Sequence, residues 1–289
     1  MIPVRWAIPH LCGMPKPMRD KRLLLMFRGY FDECNKNAAD VRFIMSGWIG
    51  RVEQWEVFTD AWQTVLSDKP AIEYFKGSEA NTLGDEFLRF SSPDRDAKKL
   101  ALAEVIRNSG MQGYVVTVPH DILGEKPSQL KKWMGTRVYD WAFMALVPKV
   151  IIDLLERGER SKVDFVFDGC SELRACIESY ERQRNEWPPS MRAIAGEVIP
   201  GDDKILAGLQ AADFLAGEHS VYLETGNKEA AYLSLENASS PIVEFPASPS
   251  VDTIKAVLQY ATEVYQRWDL VSGMLRDLKA MGVKLEDFK

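Results

Sequence analysis

The chain has 289 residues, 46% of them hydrophobic and 27% charged, with a formal net charge of −6. That balance belongs to a globular protein long enough to bury a sizeable core, and it excludes a disordered or fibrous chain. It also excludes a protein that coats nucleic acid through bulk positive charge, although a local basic strip can still steer a polyanion.

Residues 1–21 carry Pro3, Pro9, Pro15 and Pro17 among basic side chains, without the apolar run of a signal peptide, and read as a flexible arm. Two strands are expected at 22–32 and 41–50, joined by the polar hairpin loop Cys34–Asp40. Trp55, Phe58, Trp62 and Leu66 recur at spacings of three and four, which predicts a helix over 53–67 with an aromatic core stripe. A short strand at Ile72–Phe75 follows, then helices near 83–90 and 95–108 and a β-branched strand at 113–119. A long helix is expected over 129–157, with Pro148 as a point of kinking or splitting.

The alternating run from Val163 to Asp168 predicts a strand, and Ser171 suits the N-cap of a helix over 172–185. A strand near 195–199 leads through Asp202-Asp203-Lys204 into a helix rich in small residues around Asp213. Residues 237–251, rich in Ser, Pro and Ala, read as a surface connection, and 252–280 as an amphipathic helix. Strands first, then strand–helix alternation, imply one α/β domain with a mixed sheet, 22–225, and an extension, 226–289, packed on it.

No apolar stretch reaches the ~18–20 residues of a membrane span. Cys12, Cys34, Cys170 and Cys176 show no CxxC spacing and no histidine partner, which argues against zinc and predicts reduced thiols in a cytoplasmic protein. His10, His120 and His219 are too scattered for a triad; His219 reads as a surface residue that lies within reach of Asp213 along the chain. Two basic strips adjoin tryptophans: Arg182, Arg184 and Arg192 around Trp187, and Lys131, Lys132 and Arg137 beside Trp133. Both read first as solvated helix faces, and second as nucleic-acid contacts.

Three aspartates stand where an aspartate is costly. Asp32 ends the apolar run from Leu23, Asp168 ends the second strand-like run, and Asp213 lies inside Leu209-Gln210-Ala211-Ala212-Asp213-Phe214-Leu215-Ala216-Gly217. A carboxylate removed from water is destabilising by several kcal/mol unless it is paired or bound to metal. Asp is a poor mid-helix residue, and the alanines and glycines around Asp213 let its helix approach a sheet closely. Gln210, one turn earlier on the same face, is placed to support it. Glu33 follows Asp32, so an extended strand points the two side chains to opposite faces, which makes Asp32 the first candidate and Glu33 the second. Convergent carboxylates without Cys or His select a hard cation, Mg²⁺ or Mn²⁺.

Tyr30-Phe31-Asp32-Glu33, Phe43–Ile49, Phe165–Asp168 and Leu209–Gly217 together resemble the family called domain of unknown function 3800, over about residues 23–225. The family opens on Tyr-x-Asp-Glu-Ser-Gly and closes on Gln-x-Ala-Asp followed by two hydrophobic residues and Ala. Here Cys34-Asn35 replace the Ser-Gly. The resemblance implies a ribonuclease-H-like domain in which Asp32, Asp168 and Asp213 bind divalent metal. Asp203 resembles the family's acidic residue ahead of the closing helix. Glu73 and Lys76 loosely resemble a Glu-x-Lys element, with one residue more between them.

The expected function is thus a metal-dependent phosphodiesterase or nuclease acting on DNA or RNA, with Lys204 or Lys76 facing the developing phosphate charge. One alternative is an inactive ribonuclease-H-like scaffold that binds a nucleic acid or a protein. A phosphotransferase using ATP ranks last, because no GxxxxGKS-type loop is present.

Overall fold

The computed structural model describes residues 26–34, 42–120, 136–236 and 242–246. Its centre is a six-stranded sheet in the order β5-β4-β1-β2-β3-β6. Strands β1 (Phe27–Cys34), β2 (Arg42–Arg51) and β3 (Gln112–Pro119) form an antiparallel meander. Strands β4 (Val163–Asp168) and β5 (Ala195–Gly201) then add in parallel on the other side of β1. This is a mixed α/β sheet with a ribonuclease-H-like arrangement, as the sequence led us to expect. The sixth strand, β6 (Val243–Pro246), pairs parallel with β3 inside a segment expected to be a surface connection.

Period-two alternation sends the two sides of each strand into different cores. Phe27 and Phe31 of β1 and Phe165 and Phe167 of β4 enter one core, which α4 (Val138–Glu156), α5 (Leu173–Arg184) and α6 (Pro189–Ile194) cover. Tyr30, Ile44, Trp48 and Val166 enter the other, under α1 (Val52–Ser67), α3 (Ser92–Asn108), α7 (Ala207–Thr225) and α8 (Ala230–Glu236). The aromatic stripe of α1 is core: Trp55, Phe58, Trp62 and Leu66 are all buried.

Helix α7 lies close against β1 and β2 because its facing residues are small. A Cβ on Gly208 would stand 2.4 Å from the Tyr30 ring. Ser46 Oγ and Trp48 Nε1 donate to the α7 carbonyls of Ala212 and Ala211, each at 3.0 Å. These bonds pin the helix to the strand, which sets the height of Asp213 over the sheet.

Several local expectations are corrected. Ile72–Phe75 is a loop, since its amides are taken outside any ladder: Ile72 N–H by Leu66 O, Glu73 N–H by Glu86 Oε2 and Phe75 N–H by Gln210 Oε1. The helix expected at 83–90 is a 3₁₀ turn over Asp85–Phe87, preceded by a short helix α2 (Gly77–Thr82). Helix α3 starts earlier than expected, at Ser92, behind a reciprocal Ser91–Asp94 capping box. Ser171 does not cap α5; its hydroxyl donates to Glu172 Oε2. Helix α4 runs through Pro148 without splitting. Helix α8 and β6 come from the expected extension and are built into the second core and the sheet. Residues 1–25 and the 252–280 helix lie outside the described residues. Among the described residues no helix is long and apolar enough to cross a membrane.

Candidate metal centre

Strands β1, β4 and β5 are parallel neighbours, so their carboxyl ends lie side by side, where open α/β sheets present their sites. Phe31 of β1 is registered with Phe167 of β4, and Asp32 and Asp168 each come one residue later, on the same face of the pleat. Asp168 pairs with Gly201 of β5, and Asp203 follows two residues on. Carboxylate oxygens of Asp32, Asp168 and Asp203 all lie within 4.8 Å of one another. Asp32 and Asp203 are buried and Asp168 is half-buried.

Oxygens bound to one ion at about 2.0–2.6 Å stand at most roughly 4–5 Å apart, so this spacing admits a shared cation. The donors are oxygen only, which suits Mg²⁺, Mn²⁺ or Ca²⁺ and not a thiolate-loving metal. Electrostatics point the same way. Burial, then the charges of Asp213, Glu33 and Asp168, hold the Asp32 carboxyl well above the usual carboxylate range, against the Glu33 N–H bonded to its Oδ1 at 2.7 Å. The cluster is therefore a place of excess negative charge that a divalent ion would relieve.

Asp213 stands beside the trio and is held by other groups. Its Oδ2 accepts from the Gly77 N–H at 2.5 Å. Burial pushes its pKa up to about 6, the Gly77 N–H and Lys76 oppose this, and Asp203 and Asp168 add to it. The three carboxylates that meet are thus Asp32, Asp168 and Asp203, with Asp213 flanking them. Asp203, a weaker candidate in the sequence, is one of the three that meet. Its local signal, Asp202-Asp203-Lys204, is that of a turn; the informative fact is that β5 continues to Gly201 beside Asp168.

Gln210 supports the site, and its partner is the Asp203 loop. Its Nε2 donates to Asp203 O at 2.8 Å, and its Oε1 accepts from Trp62 Nε1 at 2.8 Å and from Phe75 N–H at 3.2 Å. One buried amide thereby joins α1, the 71–76 loop and the Asp203 loop to α7. Lys76, at the end of that loop, forms an ion pair with Asp203 Oδ2.

The remaining candidates are placed elsewhere. Glu33 is buried on the opposite face of β1, where its charge acts on Tyr139 of α4, as strand alternation requires. Glu73 is exposed and is not one of the carboxylates brought together. Lys204 Nζ sits 5.0 Å over the Tyr74 ring, whose hydroxyl donates to Glu79 Oε1 at 3.0 Å.

Trp187 is buried against Tyr180 and Arg184 donates to Gly196 O, so these two are structural; Arg182 and Arg192 are exposed, with Arg192 donating to Asn185 O. In the second, Arg137 forks onto Asp140; Lys131, Lys132 and Trp133 lie outside the described residues. His219 is neither at the surface nor part of the site. It is fully buried, with Nδ1 2.8 Å from the Tyr232 hydroxyl. Cys34 donates to Ala216 O, Cys176 is buried, and Cys34, Cys170 and Cys176 are free thiols.

No protein-family model matches the sequence, and no curated protein matches it. Geometry and donor chemistry therefore carry the functional conclusion.

Proposed function

We propose that this protein is a divalent-metal-dependent phosphodiesterase that cleaves nucleic acid, with Mg²⁺ or Mn²⁺ held by Asp32, Asp168 and Asp203. The observation that carries the reading is the meeting of those oxygens, within 4.8 Å, at the carboxyl ends of three parallel strands. The resemblance to the domain of unknown function 3800 family supports the same chemistry, with Asp203 taking the third ligand position in place of Asp213.

A hard cation in such a site supplies a water acidified towards neutral pH and a counter-charge for the pentacoordinate phosphate. The chain's own residues do the rest. Strand ends fix Asp32 and Asp168, and the Gln210–Asp203 hydrogen bond fixes the loop that carries the third carboxylate. Asp213 holds the 75–77 backbone through Gly77 and so positions Lys76, whose ammonium is a positive charge beside the cluster.

End-labelled single-stranded DNA, duplex DNA, RNA and RNA–DNA hybrid, incubated with the protein in Mn²⁺, Mg²⁺ or EDTA, test this directly. Cleavage of at least one substrate is expected with metal, and a loss of at least a hundredfold is expected in Asp168→Asn. Metal binding without cleavage of any substrate would remove the nuclease assignment.

A further inference from the structure

The carboxylate cluster already contains a cation. Lys76 Nζ pairs with Asp203 Oδ2, and the Lys76 side chain is 35% exposed. Its position is built from three consecutive residues: Phe75 N–H is held by Gln210, Lys76 by Asp203, and Gly77 N–H by Asp213. An ammonium group this well anchored compensates one negative charge among the four nearby aspartates. It also stands where its charge opposes the approach of a second cation to the same carboxylate.

We propose that Lys76 is a resident counter-cation that competes with a divalent ion for Asp203 and yields that carboxylate when the ion binds. The inference rests on the metal-dependent reading above and adds a specific residue to it: Lys76 lowers the affinity of the site while holding the metal-free carboxylates together. A merely structural lysine has the opposite signature, because its loss would leave Asp203 poorly placed and weaken the ion.

The test is a calorimetric titration of the full chain with MnCl₂, for wild type, Lys76→Gln and Lys76→Arg. Removing one positive charge next to the ion is expected to tighten Mn²⁺ binding at least tenfold in Lys76→Gln, and Lys76→Arg is expected to stay within threefold of wild type. As a second readout, the ¹³Cε lysine signal that disappears in Lys76→Arg is expected to shift when Mg²⁺ is added to wild type.

Wild-type binding with an unchanged or weaker Kd in Lys76→Gln overturns the inference and leaves the metal site standing. Absence of Mn²⁺ binding in both proteins overturns the metal site itself, and the inference with it.

Discussion

Neutralising one carboxylate of the cluster should stabilise the metal-free protein, the reverse of the usual effect of altering a buried residue. Asp32→Asn keeps the shape and the Oδ1 acceptor for the Glu33 N–H, and removes one charge. At the 4.8 Å limit of the cluster and an effective dielectric of about 20, each carboxylate pair repels by about 3.5 kcal/mol. Asp32 faces two such partners in the cluster, and the charges of Asp213 and Glu33 add to the repulsion, with Lys76 offsetting part of the sum. The wild type escapes the full repulsion by taking up a proton, which at pH 7 costs about 4 kcal/mol at most, from an ordinary carboxylate pKa of about 3.9.

The expected gain in Asp32→Asn is therefore roughly 2–4 kcal/mol, or about 4–10 °C in Tm for a chain of this size. The sign with pH follows from the raised folded-state pKa of Asp32. The folded wild type binds the proton before the unfolded chain does, so its handicap is largest above the folded pKa and disappears as pH falls towards about 4. Thermal melts in EDTA at pH 7.5 and pH 4.5 should show the variant well above wild type at the first and level with it at the second. Mn²⁺ should raise the Tm of wild type much more than that of the variant. A lower Tm for Asp32→Asn at pH 7.5, or a gap that ignores pH, would refute the picture of a charge-strained site.

Gln210→Leu should destabilise the protein by roughly 3–6 kcal/mol, because the buried Trp62 Nε1 and Phe75 N–H lose their acceptor and Asp203 O loses its donor. Urea unfolding measures the loss, and a parallel MnCl₂ titration should show weaker binding as the Asp203 loop slackens. His219 carries the opposite pH signature to Asp32. Burial first, then the charges of Arg42 and Lys228, lower its pKa to about 4, while the unfolded ring titrates at its ordinary value. Its contribution is therefore complete above about pH 6.5 and is lost as pH falls towards 4, a change of roughly 3 kcal/mol. His219→Gln should flatten that part of the stability–pH curve in urea melts; an unchanged slope would place the proton elsewhere.

Much of the site was legible in the sequence because it follows from local periodicity. Asp32 and Asp168 each end an apolar strand, and alternation alone separates Asp32 from Glu33. The same period of two predicted the strands, and the spacing of Trp55, Phe58 and Trp62 predicted a buried helix. Residues far apart in sequence decided the rest. Ile72–Phe75 has strand composition, yet Gln210 and Glu86 take its amides, so no ladder forms. Val243–Pro246 becomes a strand because β3 offers it an open edge. His219 is buried because Tyr232 of α8 folds back over α7. Asp203 joins Asp32 and Asp168, with Asp213 flanking them, because β5 runs to Gly201 alongside Asp168, a pairing of two strands separated by two helices. Side-chain alternation is dictated residue by residue along the backbone, whereas strand pairing and carboxylate convergence depend on which distant surfaces bury one another, and that was settled only when the chain folded.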